Sequence, residues 1–325
     1  MIPEQGLQMV LDACHVEVWP EETPLPREVL VDRVHGIDGL LSLLTDSVDA
    51  EVMDAAGSNL KVISNYAVGY DNIDVPSASE RGILVCNTPD VLTETTADLT
   101  FALLMAAARR VVEGADFVRA GKWKTWGPKL LLGLDVHHAT LGVIGLGRIG
   151  TAVARRANGF DMKVLYYDYH HRREKGESLG ALMVDTLDEL LSESDFITLH
   201  VPLKPETYHL INADTLSKMK RTAILINAAR GPLVDTDALY DALRTGQIAY
   251  AALDVTDPEP LPPDHKLLTL PNCLVVPHIG SASIATRTSM AVMAAENLLA
   301  GLQGKVPKYL VNPGALLHPR WKSAT

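Results

Sequence analysis

The sequence predicts an α/β fold of two doubly wound parallel-sheet domains, and three observations predict it. Short β-branched or aliphatic runs recur along the chain, and helix-length amphipathic stretches separate them. At 325 residues the chain is also long enough for two domains of ordinary size. Strands that alternate with helices need crossover connections, which lay the strands parallel and cover both faces of each sheet.

The elements follow in order. "VEVW", "LLSLL", "LKVIS" and "ILVC" are expected as the strands of a first domain. Next comes "TETTADLTFALLMAAARRVVEGADFVRAGKW", opened by Thr93 and Glu94, whose Ala/Leu-rich periodicity reads as one helix. It would run for about seven turns at roughly 3.6 residues each, a length that suits a bridge between domains. Six more runs follow: "LGVIG", "KVLYYD", "DFITLH", "TAILIN", "AYAALDV" and "CLVVPH". A second long helix, from about Ser283 to Leu302, returns the chain to the first domain. The second domain is thus expected as an insertion, residues 98–287, inside a first domain of residues 1–97 and 288–325. "DPEPLPPDH" is a proline-rich loop that cannot be regular structure.

Composition narrows the function classes. The chain is 47% apolar with a mean hydropathy of +0.09, as expected of a globular protein with real cores. A formal charge of −11 argues against nucleic acid or an anionic membrane surface as partner, because both demand a basic patch. A small molecule is the expected partner. Cys14, Cys86 and Cys273 are odd in number and far apart, which reads as free or buried thiols and not as a disulfide framework or metal cluster. No secretory leader and no membrane-length apolar run is read, so the cytosol is the expected compartment.

"LGVIGLGRIG" sets Gly145, Gly147 and Gly150 in G-x-G-x-x-G register after a strand and at a helix start. The first glycine permits the tight turn, the second lets backbone approach a pyrophosphate, and the third lets helix and strand pack closely. The helix N-terminus, with Arg148 and Ile149, then attracts the anion. Asp168 ends the next strand at about the twenty-residue distance expected of a carboxylate that accepts from a ribose diol. This constellation predicts a dinucleotide site. Asp168 favours NAD, whereas Arg172, Arg173 and Lys175 in the following loop could pair with the extra phosphate of NADP.

Three later strands end in reactive groups: Arg230 in "ILINAARG", Asp254 and Glu259 in "AALDVTDPEP", and His278 in "LVVPHIGSAS". Ligands of open α/β sheets sit beyond the carboxyl ends of the strands, so these groups can converge there.

With "NYAVGYDNID", "NTPDVLTETTAD", "INAARGPLVDTDAL", "LDVTDPEPLP" and "PHIGSAS" in this order, the chain resembles the D-isomer-specific 2-hydroxyacid dehydrogenases, most closely the glyoxylate/hydroxypyruvate reductases. The resemblance implies a Rossmann cofactor domain inserted in a flavodoxin-like substrate domain, with NAD as cofactor and NADP as the alternative. It matches Arg230, Glu259 and His278 to the family's catalytic triad. Val68 and Gly69 match the loop whose backbone N–H groups hold the substrate carboxylate, and Asp254 matches a residue near the nicotinamide carboxamide. In those roles Arg230 clamps the 2-oxo acid, His278 delivers a proton to its carbonyl oxygen, and Glu259 orients the imidazole and favours its charged form. Trp123 and Trp126 resemble a loop that reaches toward a partner's active site, with Trp126 as the substrate contact, and the expected assembly is a homodimer built around the cofactor domain.

Relatives that act on phosphoglycerate or lactate commonly carry an arginine in the loop occupied here by Asn65-Tyr66-Ala67, so the resemblance implies a small uncharged-tail acid such as glyoxylate or hydroxypyruvate as substrate. Another D-2-hydroxy acid, or an NAD-sensing corepressor-like binding role, is the alternative. One departure stands out. Relatives usually open with a strand of the type "KVLVTR" before the helix matched here by "PEQGLQMVLDAC", and this chain starts at Met1-Ile2-Pro3. The opening strand is expected to be missing, through an upstream start or a real loss, leaving ladder groups of the first sheet unpaired.

Overall fold

The computed structural model describes residues 1–21, 23–170 and 173–321, with the backbone alone at Arg173. The chain forms two compact units, Met1–Leu92 with Ser281–Thr325, and Thr93–Gly280. Each junction falls a few residues before the one expected from sequence.

The first unit holds a parallel sheet in the order β1-β2-β3, with β1 Gly39–Ser42, β2 Val62–Asn65 and β3 Leu84–Cys86. Alternate residues of β2 serve different cores. Ile63 packs with Leu30, Val52 and Val85, while Val62 packs with Leu84, Ala295 and Leu298 from the returning helix Ile284–Leu302. Ser283 caps that helix by accepting from Thr286 N.

Two expectations fail here. "VEVW" forms no strand: among the described residues β1 pairs only with β2, so Val16–Trp19 has no ladder to join. A strand without a neighbour leaves its polar groups to water, and Trp19 lies instead against the Arg33 guanidinium, 5.3 Å from ring to Cζ. The long crossing helix is also two helices, Thr93–Ala108 and Val111–Arg119. Arg110 between them is left-handed (φ +53), with its side chain on Glu113, and Leu134 N donates to the Ala108 carbonyl that continued helix would have used.

The second unit is a seven-stranded parallel sheet among the described residues, ordered β10-β9-β8-β7-β4-β5-β6. The strands are β4 Thr140–Ile144, β5 Lys163–Tyr167, β6 Leu182–Met183, β7 Phe196–Leu199, β8 Ile224–Asn227, β9 Tyr250–Leu253 and β10 Cys273–Val275. Buried on both faces, they read as continuous apolar runs. Ile224 and Ile226 of β8 face the core of Phe101, Leu104 and Val153, while Leu225 faces that of Leu190, Leu216 and Leu239. The order reverses between β4 and β7, so the crevice beyond their carboxyl ends is the switch point of a doubly wound sheet.

Cys14, Cys86 and Cys273 are free, and burial pushes the Cys86 and Cys273 thiols up to about 12. No described helix is long and apolar enough to cross a membrane.

Candidate active site

Gly145 follows β4 directly and adopts φ +94; a Cβ there would press on the His200 carbonyl and Val201, just past β7. A Cβ at Gly150 would overlap the Gly145 carbonyl. At Gly147 the space is open. The helix Arg148–Ala157 starts there without a side-chain cap, and its first internal acceptor, Gly147 O, serves Thr151 N. Two glycines thus let the turn fold and the third leaves the mouth of an uncapped helix clear, a cradle that suits a pyrophosphate.

Asp168 follows β5 and is 7% exposed. Its Oδ2 accepts from Leu146 N at 2.7 Å and its Oδ1 from His170 N at 2.7 Å, which fixes the carboxylate against the glycine loop. The donor set fits a dinucleotide: a helix N-terminus without a side-chain cap for phosphate and a rigid carboxylate for a diol. Arg172 lies outside the described residues.

Arg230 leaves the end of β8 through a turn organised by Asn227, which is fully buried. Asn227 accepts from Ala229 N at 3.0 Å and donates to Arg230 O at 2.8 Å. A Cβ at Gly231 would overlap the Thr256 carbonyl, so the loops after β8 and β9 touch backbone to backbone. Glu259 lies on the β9 loop, where its Oε2 accepts from Thr256 N at 3.4 Å.

His278, after β10, points its ring at that carboxylate. Nδ1 lies 2.5 Å from Glu259 Oε1, donating as an ionised carboxylate requires. With Nδ1 engaged by Glu259, Nε2 is the ring nitrogen that proton transfer would use. The His278 backbone is itself left-handed (φ +50), a cost for a β-carbon residue that its surroundings must repay. Asp254 supplies the tie. Its Oδ1 accepts from Ile279 N at 2.6 Å and its Oδ2 from Gly280 N at 2.8 Å, while His278 N donates to the Asp254 carbonyl at 2.9 Å. Burial raises the Asp254 carboxyl above its usual range, against the pull of those two N–H groups. Both oxygens of Asp254, the residue that the resemblance sets near a nicotinamide carboxamide, hold the turn that carries His278.

These residues all belong to the second unit, and a single family model, "D-isomer specific 2-hydroxyacid dehydrogenase, NAD binding domain", matches residues 101–280. The chain belongs to the D-isomer-specific 2-hydroxyacid dehydrogenases. A glyoxylate reductase of Korarchaeum cryptofilum is 55% identical over 312 residues, 96% of this chain and 93% of that one. A Thermus thermophilus protein of known structure superposes with a TM-score of 0.90 at 52% identity, covering 96% of this dehydrogenase and 97% of the other chain. An NADPH-dependent glyoxylate/hydroxypyruvate reductase of Sinorhizobium meliloti, solved with NADP and malonate, gives 0.79 at 36% identity over 86% and 85%.

In the first unit of the dehydrogenase, Val68 and Gly69 lie on the loop after β2, and their N–H groups have no acceptor among the described residues. Trp126 is 78% exposed, and Trp123 is exposed beside it in sequence. Sequence reasoning missed Asn227 and the Asp254 tie on Ile279 and Gly280. The one available signal was position, since each stands at a strand's carboxyl end.

Proposed function

We propose that this dehydrogenase reduces a small 2-oxo acid of the glyoxylate or hydroxypyruvate type to its 2-hydroxy acid. The observation that carries this reading is the His278–Glu259 pair at 2.5 Å, seated at the strand ends of a sheet whose central loop is built for a dinucleotide. Bound with its pyrophosphate at Gly145–Gly150, a reduced nicotinamide supplies the hydride.

The chain's own residues do the rest. Arg230 offers a planar fork of donors to the substrate carboxylate and carbonyl, drawing charge toward the oxygen as it develops. His278 gives the proton at Nε2 to that oxygen, while Glu259 at Nδ1 holds the ring's orientation. Val68 and Gly69 N–H groups receive the carboxylate. In these terms Met1–Leu92 with Ser281–Thr325 is the substrate unit and Thr93–Gly280 the cofactor unit. A small uncharged tail is favoured because Asn65, Tyr66 and Ala67 bring no cation to the loop. The glyoxylate reductase of Korarchaeum cryptofilum, as a relative, points the same way.

NADH is the proposed cofactor, because a carboxylate held as firmly as that of Asp168 would repel a 2′-phosphate placed beside it. The homodimer is proposed from the exposed apolar surface of Val111, Val118, Trp123, Trp126 and Leu132, clustered in one stretch of the cofactor unit. Trp126 is kept as the substrate contact within that assembly, and the cytosol as the compartment.

The deciding assay is a panel of glyoxylate, hydroxypyruvate, pyruvate and bulkier 2-oxo acids with NADH and with NADPH. The smallest acids should give the highest kcat/KM, with NADH preferred, and Asp168→Ser should move the preference toward NADPH. Absence of turnover on every acid would remove the reading; a wild-type preference for NADPH would remove its cofactor half alone.

A further inference from the structure

Val68, Gly69 and Tyr70 form a run of three N–H groups that donate to nothing among the described residues. The carbonyls preceding them are all occupied. Ala67 O accepts from Thr88 N at 2.8 Å, Val68 O from Asn87 Nδ2 at 2.7 Å, and Gly69 O from Asn65 Nδ2 at 2.8 Å. Across a trans peptide, the C=O of one residue and the N–H of the next point in opposite directions. Holding those three carbonyls therefore aims the N–H groups of Val68, Gly69 and Tyr70 away from the donors that hold them. The donors stand at strand ends: Asn65 is the last residue of β2, and Asn87 and Thr88 directly follow β3. The free N–H groups consequently face outward, beyond the carboxyl ends of the sheet, where ligands of this architecture sit.

The two amides are themselves fixed. Asn65 is fully buried, and its Oδ1 accepts from Ser42 Oγ at 3.1 Å, which settles its Nδ2 as the end facing Gly69. Asn87 is held through its backbone: its carbonyl accepts from Asn297 Nδ2 at 3.0 Å, and Asn297, 2% exposed, lies on the returning helix Ile284–Leu302. A loop left to itself would turn some of these carbonyls toward solvent, presenting negative ends to an anion.

We propose that Asn65 and Asn87 are positioning residues that hold open a three-donor anion site, the N–H groups of Val68, Gly69 and Tyr70, for the carboxylate of the 2-oxo acid. The assignment adds Tyr70 as a donor and gives the two asparagines a role in substrate affinity. It rests on the function proposed above for the identity of the anion, though not for the existence of the site.

Oxalate, a carboxylate that cannot be reduced, serves as the probe in calorimetric titration of the NADH-loaded enzyme. Asn87→Ala should weaken oxalate about ten- to a hundred-fold, the scale of losing aligned hydrogen bonds to a charged group. The KM for glyoxylate should rise in parallel, while kcat at saturation stays within about two-fold and NADH affinity is unchanged, the pattern of lost uniform binding. A merely structural role would instead lower the melting temperature and kcat together and leave oxalate affinity within about two-fold, and that result overturns the proposal. Should Asn87→Ala fail to fold, Asn87→Leu, which approximates the shape of the native side chain with neither its donor nor a charge, reads the same quantities against the same thresholds. If wild type binds oxalate and Asn87→Ala does not, yet glyoxylate is not turned over, the anion site stands and the proposed reaction falls.

Discussion

Two loops of this chain bare backbone N–H groups, and they do so by opposite means. After β4, the helix Arg148–Ala157 organises its own carbonyls, so what the loop needs is the absence of side chains at Gly145, Gly147 and Gly150. After β2 the loop over Ala67–Tyr70 has no such helix; the Thr88 N–H holds the Ala67 carbonyl, and the side chains of Asn87 and Asn65 hold those of Val68 and Gly69. An anion cradle can therefore be made by subtraction or by addition. Subtraction writes a local signature, three glycines at fixed spacing. Addition writes none, because its supports are scattered over residues that meet only in the folded unit.

The largest expected effect separates both loops from the chemistry. His278 belongs to neither, so His278→Ala should lower kcat by about 10²–10⁴-fold, the usual contribution of a general acid. NADH and oxalate affinities, which report the two loops, should stay near their wild-type values. A variant that keeps more than half the wild-type kcat would take His278 out of the mechanism.

A smaller effect divides the glycines among themselves. Gly150→Ala drives a methyl group into the Gly145 carbonyl and should destabilise the protein by about 1–3 kcal/mol, the range for overpacking. Gly147→Ala meets open space at an ordinary φ of −68, so its melting temperature should hold while its NADH affinity falls. Equal loss of stability in both variants, measured by thermal unfolding, would show that the open space at Gly147 is not kept for a ligand.

The same contrast explains what could be read from the residues alone. The glycine loop, Asp168 at the end of β5, and the Glu259 and His278 strand ends were legible because each is a residue type at a fixed offset from an apolar run. The His278–Glu259 contact itself needed the resemblance, since 19 positions separate the two residues. The strand expected at Val16–Trp19 failed because alternation gives a segment the capacity to pair and says nothing of a neighbour. The single crossing helix failed because Arg109 and Arg110 are good helix formers, and only the tertiary bond from Leu134 N to Ala108 O ends the first helix there. Asn65, Asn87 and Asn227 were passed over for a related reason: an asparagine near a strand end is also an ordinary turn residue, and only its acceptor reveals its use.

The smallest expected effect tests whether pH distinguishes the supports of the two loops. Those of the Ala67–Tyr70 loop are amides, which do not titrate. The glycine loop instead rests on the chain just past β7, where the His200 carbonyl backs Gly145 and the His200 ring, 2.9 Å from Thr198 Oγ1, is pushed by burial down to about 3. The folded protein thus keeps this imidazole neutral where the unfolded chain, with an ordinary histidine near 6.5, takes up a proton. Between those values the unfolded state binds more protons, so stability rises with pH there and is lost as pH falls from about 6.5 toward 3. The His200 share between pH 7 and pH 5 is at most about 2 kcal/mol, from 1.36 kcal/mol per unit over the part of the window crossed. His200→Gln keeps a polar group at the site and removes the titration. Urea unfolding at the two pH values should therefore show a smaller loss for the variant than for wild type, with the difference between them reporting His200 alone. If the two proteins lose stability in parallel, the imidazole titrates alike in folded and unfolded chains, and the strand end beneath the glycine loop is no more sensitive to pH than the asparagines beneath the other.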